Sequence, residues 1–277
     1  MTNDKESFIN KKIQEDLSPT RNLTGLHLKI VASIAIIWSL FQLWYASPFP
    51  FMFGVGLFKG LPARAIHLGF ALLLAFLIFP MTKKGKTGFI DIILACSAFL
   101  ACIYIYFFYD QIVDRGGILL DLNLNFLGSQ FFLPIELLIG TFGIFALLES
   151  TRRVIGIPLV IVAIAFLLFS FFGKYFPEII SHGGLSVRRL VGYHWFDQEA
   201  IFGIPISVSL DFIFLFVLFG ALLDTAGGGK YFLDLAFAMV GKMRGGPAKA
   251  AILGSGMTGL ISGSSIANTV TTGTFTI

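Results

Sequence analysis

The residues best suited to chemistry lie near the C-terminal end of the sequence, in a stretch rich in hydroxyl and amide oxygens. Between Gly254 and Thr274, 14 of 21 residues are Gly, Ser or Thr, and no charged residue occurs over Ala250–Ile277. Ser, Asn and backbone carbonyl oxygens are hard neutral ligands that suit Na⁺ better than a transition metal. No histidine or carboxylate accompanies these hydroxyl groups, so nucleophilic catalysis by Ser264 or Ser265 is not expected.

The centre of this stretch, Ser262-Gly-Ser-Ser-Ile-Ala-Asn268, would lie near mid-bilayer if it were part of a straight helix. Unwound backbone at that depth is tolerated only inside protein or beside a cavity. The preceding arm, Pro247–Ile261, would be about 22 Å long as a helix, which is too short to cross roughly 30 Å of hydrocarbon. We therefore predict a re-entrant helical hairpin over 247–277, of the kind that transporters use to bind ions and substrates. A straight helix whose small residues serve helix packing is the alternative.

The composition indicates that these residues are carried by a membrane protein. Hydrophobic residues make up 56% of the 277 residues and charged ones 13%, whereas soluble domains have about 25% charged residues. The net charge of +4 is weak evidence for a nucleic-acid partner, because the basic residues lie in short loops between apolar blocks. Cys96 and Cys102 lie in one apolar block, and we expect them to be small buried side chains rather than a disulfide or metal site.

Long apolar blocks predict an all-α polytopic bundle with about six transmembrane helices. The predicted spans are Leu28–Ala46, Ala65–Met81, Phe89–Tyr109, Phe131–Leu148, Val154–Gly173 and Pro205–Leu223. The polar residues 1–27 lack the pattern of a signal peptide and are predicted to form a cytoplasmic tail. A short block, Lys230–Gly241, is predicted to be an interfacial helix, with a short re-entrant piece as the alternative.

The basic residues of the short loops predict the orientation. They alternate between sides of the predicted bundle, so the N-terminal tail, the Lys83–Lys86 loop and Arg152–Arg153 share one side. Because cytoplasmic loops are enriched in Lys and Arg, this side is predicted to be cytoplasmic. The longest polar connection, Lys174–Gly203, is then an extracytoplasmic cap with helical spacing around Leu190. Its two histidines, His182 and His194, are expected to be solvated loop residues rather than metal ligands.

Two carboxylates fall within predicted spans. Glu136 lies near the start of the fourth span and Asp211 lies one or two turns inside the sixth. A carboxylate at the centre of a membrane helix costs about 2.5–3.5 kcal/mol, and less near an end. We therefore expect both to have structural roles, through a helix–helix hydrogen bond or interfacial pairing.

Several segments resemble the permeases of TRAP transporters, most closely the fused 4TM/12TM permeases of the TAXI branch. The resemblance is carried by Arg244-Gly-Gly-Pro-Ala-Lys-Ala-Ala251, Ser262-Gly-Ser-Ser-Ile-Ala-Asn268, Val270-Thr-Thr-Gly-Thr-Phe-Thr276, Gly203-Ile-Pro-Ile-Ser and Phe219-Gly-Ala-Leu-Leu. In addition, Leu148-Glu-Ser-Thr-Arg-Arg-Val-Ile-Gly156 is similar to the junction between the fused small and large subunits. The predicted organisation is a tail at 1–27, a small-subunit-like domain at 28–150 and the N-terminal part of a large-subunit domain at 151–277.

The resemblance implies a sodium-coupled symporter of the bacterial inner membrane with an elevator mechanism. It implies a periplasmic solute-binding protein of the TAXI type as partner and a small organic anion as solute, with sodium as coupling ion and no other cofactor. The candidate ion- and substrate-binding residues are Ser262, Gly263, Ser264, Ser265, Asn268, Thr271 and Thr272. Of these, Ser264 and Asn268 are the candidate sodium ligands.

A complete fused permease would continue beyond Ile277 through a second hairpin, so we expect the sequence to be part of a longer protein. A second interpretation is a truncated, non-transporting scaffold or assembly protein. A third, an intramembrane enzyme, is weakened by the missing nucleophile–base or metal constellation.

Overall fold

The computed structural model describes residues 20–259 apart from 22, 59, 82–87, 127 and 128, and it confirms the all-α prediction. The larger helices are α1 (Gly25–Ala46), α3 (Leu61–Ile78), α4 (Phe89–Phe107), α6 (Ile135–Val154), α7 (Ile157–Phe172), α8 (Val187–Trp195), α10 (Phe214–Thr225), α11 (Gly228–Val240) and α12 (Gly246–Gly259). The short helices are α2 (Phe49–Phe53), α5 (Tyr109–Asp114) and α9 (Ile204–Val208). A 3-10 turn at Gly173–Tyr175 follows α7, and a π-helical turn at Ser209–Ile213 joins α9 to α10.

Within the described residues, five helical segments are long and apolar enough to cross a membrane. They are Gly25–Ala46, Leu61–Ile78, Phe89–Phe107, Ile157–Tyr175 and Ile204–Thr225, and each overlaps one of the predicted spans. The remaining predicted span corresponds to α6, which has 20 residues and carries four charged side chains at its two ends. Its apolar centre is flanked by charge on both sides, so α6 is the most polar of the long helices.

A two-stranded ribbon precedes α6, where the sequence predicted the start of a span. Strand β1 (Leu122–Phe126) pairs antiparallel with β2 (Ser129–Leu133), with Leu122 opposite Leu133. The helix therefore begins at Ile135 rather than Phe131, directly after Pro134. Proline disfavours helical conformation in the residue before it, which fits a helix that begins after this position.

The described residues fall into two compact units, the first of which runs to Phe41 and resumes over Pro48–Ser207. Its core is built around α3, the most buried of the five apolar segments. Leu72 and Phe76 of α3 pack in one cluster with Cys102 and Ile105 of α4. By contrast, α7 has no buried residue, as expected of a helix whose side chains face lipid.

Helix α8 packs closely against α6 at Gly143, where the absence of a side chain leaves room for Trp195. A Cβ atom placed on Gly143 would lie 2.2 Å from the indole ring of Trp195, which is itself completely buried. Only a residue without a side chain allows this approach, so α8 is held against α6 by the fit of Trp195 over Gly143. The helix confirms the periodicity predicted around Leu190 in the connection after the fifth span.

The second unit contains Gln42–Ser47 and the described residues 208–259. Helices α11 and α12 pack against each other within it, and α10 contacts α11. The predicted interfacial helix at 230–241 corresponds to α11, which begins two residues earlier. Its placement relative to a membrane stays a prediction.

Candidate functional site

The residues predicted to bind sodium and substrate, Ser262 to Thr272, lie outside the described part of the chain. The helix that leads to them is described. The predicted arm, Pro247–Ile261, corresponds to α12, whose described residues run from Gly246 to Gly259. The predicted helix is therefore confirmed as far as Gly259, and its membership of a re-entrant hairpin stays a prediction.

A row of small residues at every fourth position lets α12 pack closely on α11. Gly246, Ala250, Gly254 and Thr258 are all buried. A Cβ atom on Gly254 would lie 2.6 Å from Cδ2 of Leu233 in α11, so this position has room for hydrogen only. Small residues at this spacing allow close contact between membrane helices, where van der Waals packing replaces the hydrophobic effect.

Near the end of α12, the hydroxyl group of one buried residue is bonded within the helix. Thr258 is buried, and its hydroxyl group donates to the carbonyl oxygen of Gly254 over 2.8 Å. A hydroxyl bonded to its own preceding turn keeps one hydrogen bond in an apolar setting. The arm can thus carry polar residues toward the predicted tip at little desolvation cost.

Asp211, the carboxylate of the sixth predicted span, lies in the π-helical turn between α9 and α10. The amide of Phe214 donates to the carbonyl of Ser209, five residues back, and the hydroxyl of Tyr45 donates to Asp211 over 3.1 Å. This is the side-chain pairing that we expected for Asp211. Single π-helical turns inside longer helices often mark functional positions, and Asp211 lies in such a turn.

An ionic group, here called the Asp91 cluster, consists of Arg21, Asp91, Glu149, Arg152 and Arg153, of which Arg152 alone is exposed. Asp91 lies in the first turn of α4, and each of its two oxygens accepts from a different arginine. Nη2 of Arg21 lies 2.7 Å from Oδ2, and Nη1 of Arg153 lies 2.8 Å from Oδ1. The three side chains are 2–5% exposed, so the two ion pairs are shielded from water.

The backbone and an aromatic ring complete the surroundings of the two arginines. Arg21 also donates to the carbonyl of Leu77 over 2.8 Å, and its amide donates to that of Ile78 over 2.9 Å. The guanidinium of Arg153 bonds the carbonyl of Phe79 and lies 4.9 Å from the ring centre of Phe76. The N-terminal segment, the end of α3, the start of α4 and the end of α6 are therefore joined at one point.

The last turn of α6 contributes the second carboxylate of the Asp91 cluster, beyond the apolar part that ends at Leu148. Glu149 accepts from Arg152 and from Nε of Arg153, each over 2.8 Å. The hydrogen-bonded Arg152 guanidinium, supported by Arg153, holds the pKa of Glu149 below its ordinary value against the opposing effect of burial. Glu149 therefore stays ionised and orients Arg153 toward Asp91.

A second group, the Glu136 cluster, lies at the other end of α4 and α6. Glu136 is 1% exposed, and its oxygens accept from the Tyr104 hydroxyl over 2.9 Å, the Leu120 amide over 2.6 Å and the Arg115 guanidinium. The structural role expected for Glu136 is thus confirmed. Asp91 and Glu136 each lie in the first turn of their helix, where the helix dipole favours a negative charge.

The two histidines of the connection after α7 each contact a backbone carbonyl oxygen, and the two cysteines differ in exposure. Nε2 of His182 lies 3.1 Å from the carbonyl of Phe169, and Nδ1 of His194 lies 2.8 Å from that of Leu190. Cys102 is buried, whereas Cys96 is exposed on α4, contrary to the expectation that both are buried. Among the described residues, no group of three or more His, Cys, Asp and Glu side chains could hold a metal ion.

The second half of the chain matches the model of a known protein family. Residues 142–277 match the family model for the tripartite ATP-independent periplasmic transporter, DctM component. This half of the chain is DctM-like. The matched residues begin within α6 and contain α12 together with every predicted site residue, and they cover slightly less than half of the sequence. No curated protein and no solved structure matches the chain significantly.

The Asp91 cluster connects the DctM-like half to the preceding residues, and sequence reasoning missed it. Asp91 precedes the matched range, whereas Glu149 and Arg153 lie within it. The sequence signal was a single carboxylate in the first turn of an otherwise apolar helix, next to a basic loop. The sequence predicts only a role in orientation for the basic residues of the N-terminal tail and for Arg152–Arg153, and no pairing with Asp91.

Proposed function

We propose that this chain is the membrane permease component of a sodium-coupled TRAP secondary transporter. The observation that carries the proposal is the DctM match over 142–277, which contains both the helical arm and the polar segment that follows it. DctM is a transporter component, so we assign a transport role rather than a catalytic one. The five long apolar helices provide the membrane-embedded body that such a role requires.

We further assign the chain to the fused type of the TAXI branch. In this scheme 28–150 correspond to the small subunit and 151–277 to the start of the large subunit. The Asp91 cluster supports the assignment, because the buried ion pair between Arg153 and Asp91 joins the two parts in addition to the peptide chain. The partner is a periplasmic binding protein of the TAXI type, and the solute is a small organic anion. The protein then lies in the bacterial inner membrane with a cytoplasmic N-terminus.

The coupling ion is bound at the hairpin tip, Ser262–Asn268. Neutral oxygens from Ser264, Asn268 and nearby carbonyl groups suit sodium, and the ion would in turn stabilise oxygens that have no water to bond at that depth. Thr271 and Thr272 are further candidates for binding the ion or the solute. The close packing of α12 on α11 supports an elevator-type step in which the hairpin moves as one body with its supporting helix.

The test is sodium-dependent uptake by the complete gene product that contains this chain. The protein is reconstituted in proteoliposomes with a periplasmic binding protein of the TAXI type, and uptake of a panel of radiolabelled small carboxylates is measured against external sodium. Asn268→Ala removes one ligand, which weakens the apparent sodium affinity roughly 5- to 150-fold if that oxygen is buried. Gly263→Val reduces transport for another reason, because a β-branched residue resists the turn that glycine permits.

Ser264→Ala and Ser170→Ala form a matched pair for the same assay. Ser170 lies on α7, where its hydroxyl donates only to the carbonyl of Phe166. Ser264→Ala should raise the sodium concentration at half-maximal uptake, and Ser170→Ala should leave it unchanged. Sodium-independent uptake by the unmutated protein would reject sodium coupling. A well-folded protein that transports no solute with its binding protein would favour the scaffold interpretation.

A further inference from the structure

A cavity of about 580 Å³ opens in the first unit, beside the end of α4 and the beginning of α3. This volume is within the range of about 300–1,000 Å³ that is usual for ligand pockets. One wall is formed by α5 and the glycine turn after it, and the other by α8 and the turn that follows it. The two walls come from the two halves of the sequence that the DctM match separates.

Part of the lining is apolar and lies level with the ends of two membrane-length helices. Leu61, the first residue of α3, Ile112 and Phe196 line the cavity but are only 2–6% exposed, whereas Val113 is 54% exposed and presents most of the aliphatic surface. Helix α4 ends at Phe107, two residues before the lining residue Tyr109. An apolar surface at the end of a span is where an acyl chain meets its polar headgroup.

The rim of the cavity carries exposed charges of both signs. Arg189 lines it from α8, and its guanidinium forms no ion pair within the described part of the chain. Asp197 and Glu199 line it from the next turn, where the carboxylate of Asp197 accepts the amide of Glu199 over 3.3 Å. The side-chain carboxylate of Glu199 has no ion pair among the described residues either, so cationic and anionic groups are both available to a ligand.

Aromatic side chains complete the rim. Tyr109 and Tyr193 line the cavity, and the amide group of Gln198 donates to the hydroxyl of Tyr109 over 3.3 Å, which fixes the two walls to each other. An aromatic ring next to carboxylates is a favourable site for an ammonium group. A guanidinium, in turn, is suited to a phosphate.

We propose that this cavity binds the headgroup of a zwitterionic phospholipid. The phosphate contacts Arg189, the ammonium group lies between Tyr193 and the carboxylates of Asp197 and Glu199, and an acyl chain follows the apolar lining. An anionic lipid fits less well because the rim has two carboxylates and one guanidinium. A soluble zwitterion would leave the exposed side chain of Val113 uncovered. The lipid would thereby bridge the small-subunit-like and DctM-like parts at the end opposite to the Asp91 cluster.

The test uses the complete gene product that contains this chain, purified in detergent, and two lipids with the same acyl chains, dioleoyl-phosphatidylethanolamine and dioleoyl-phosphatidylglycerol. Native mass spectrometry counts the lipid retained, and the thermal midpoint from tryptophan fluorescence gives the stabilisation. Phosphatidylethanolamine should be retained and should raise the midpoint, and phosphatidylglycerol should do so much less. Arg189→Gln should weaken retention by roughly 5- to 20-fold, as should Asp197→Asn combined with Glu199→Gln, because each removes charge-assisted contacts at an exposed rim.

Arg188→Gln is the matched control. Arg188 is the neighbouring arginine but pairs with Asp121 and does not line the cavity, so its loss should leave lipid retention unchanged. A midpoint without lipid equal to that of the unmutated protein verifies that each variant is folded. Equal retention of the two lipids, or equal losses in Arg188→Gln and Arg189→Gln, would overturn the proposal. Displacement of the lipid by millimolar phosphoethanolamine alone would reassign the cavity to a soluble zwitterion.

Discussion

Nη1 of Arg153 lies 2.8 Å from Oδ1 of Asp91, and the two side chains are 2% and 5% exposed. Arg153 belongs to the last turn of α6 and Asp91 to the first turn of α4. The ion pair therefore joins the two antiparallel helices at one end. At the other end, the hydroxyl of Tyr104 in α4 donates to the carboxylate of Glu136 in α6 over 2.9 Å. Helices α4 and α6 are thus fixed in register at both ends by buried polar contacts, which apolar packing alone would not specify.

We expect Asp91→Asn to destabilise the protein strongly. The substitution leaves Arg21 and Arg153 buried without their common carboxylate, and removing one partner of a buried ion pair typically costs about 3–5 kcal/mol. The measurement is the free energy of unfolding in mixed detergent micelles, from a titration with a denaturing detergent. Arg152→Gln is the control, because Arg152 pairs with Glu149 at the surface and its side chain is 39% exposed. Equal effects of the two substitutions would contradict a central role for Asp91.

The Glu136 cluster predicts an order among three variants. Glu136→Gln keeps an oxygen that can accept from the Leu120 amide but removes the charge that Arg115 needs, so a loss of about 1.5–3 kcal/mol is expected. Tyr104→Phe removes one hydrogen bond and should cost about 0.5–1.5 kcal/mol. Tyr106→Phe, in the same helix but exposed, should be close to neutral. The same unfolding titration measures all three, and a larger effect of Tyr104→Phe than of Glu136→Gln would contradict this reading of the cluster.

The helical architecture could be predicted because the length and hydrophobicity of a span are local properties of the sequence. The main error, at the start of α6, also has a local cause. Leu122-Asn-Leu-Asn-Phe126 alternates apolar and polar residues with the period of a strand, and its pairing with Ser129–Leu133 occupies the residues where a span was expected to begin. The strand pattern was present in the sequence, but the long apolar block that follows it led to the prediction of a span beginning at Phe131.

The Asp91 cluster could not be predicted in the same way, because its contacts are not local. Arg21 and Arg153 lie 70 and 62 residues from Asp91 along the chain. Charge patterning explained each arginine by itself, as a determinant of orientation, and gave no reason to pair them. The candidate ion site is the opposite case. The composition of Ser262–Asn268 indicates its chemistry, whereas the arrangement of its ligands depends on residues outside the described part of the chain.

The predicted orientation can be tested with single cysteines in a background that carries Cys96→Ser and Cys102→Ala. Ser181 is exposed in the connection between α7 and α8, and its hydroxyl donates only to the carbonyl of Glu178, so Ser181→Cys should be well tolerated. We expect a membrane-impermeant maleimide to label it in intact spheroplasts. Lys84→Cys, in the basic loop, should be labelled only after permeabilisation. The reverse pattern would place the N-terminus outside and reject the orientation inferred from the basic loops.

Two glycines of α12 offer a direct test of how the hairpin arm is held. A Cβ atom on Gly254 would lie 2.6 Å from Leu233 in α11, whereas one on Gly256 would meet no atom within 4 Å. Alanine favours a helix interior over glycine by up to about 1 kcal/mol, so Gly256→Ala should be neutral or slightly stabilising. Gly254→Ala gains the same helix propensity but must displace a buried leucine, and overpacking of this kind typically costs about 1–3 kcal/mol. We therefore expect Gly254→Ala to be the less stable variant of the pair in the unfolding titration.

If the arm moves together with α11 during transport, Gly254→Ala should also reduce the uptake rate in proteoliposomes, while Gly256→Ala should not. Equal stability of the two variants would show that the small residues of α12 do not set its distance from α11.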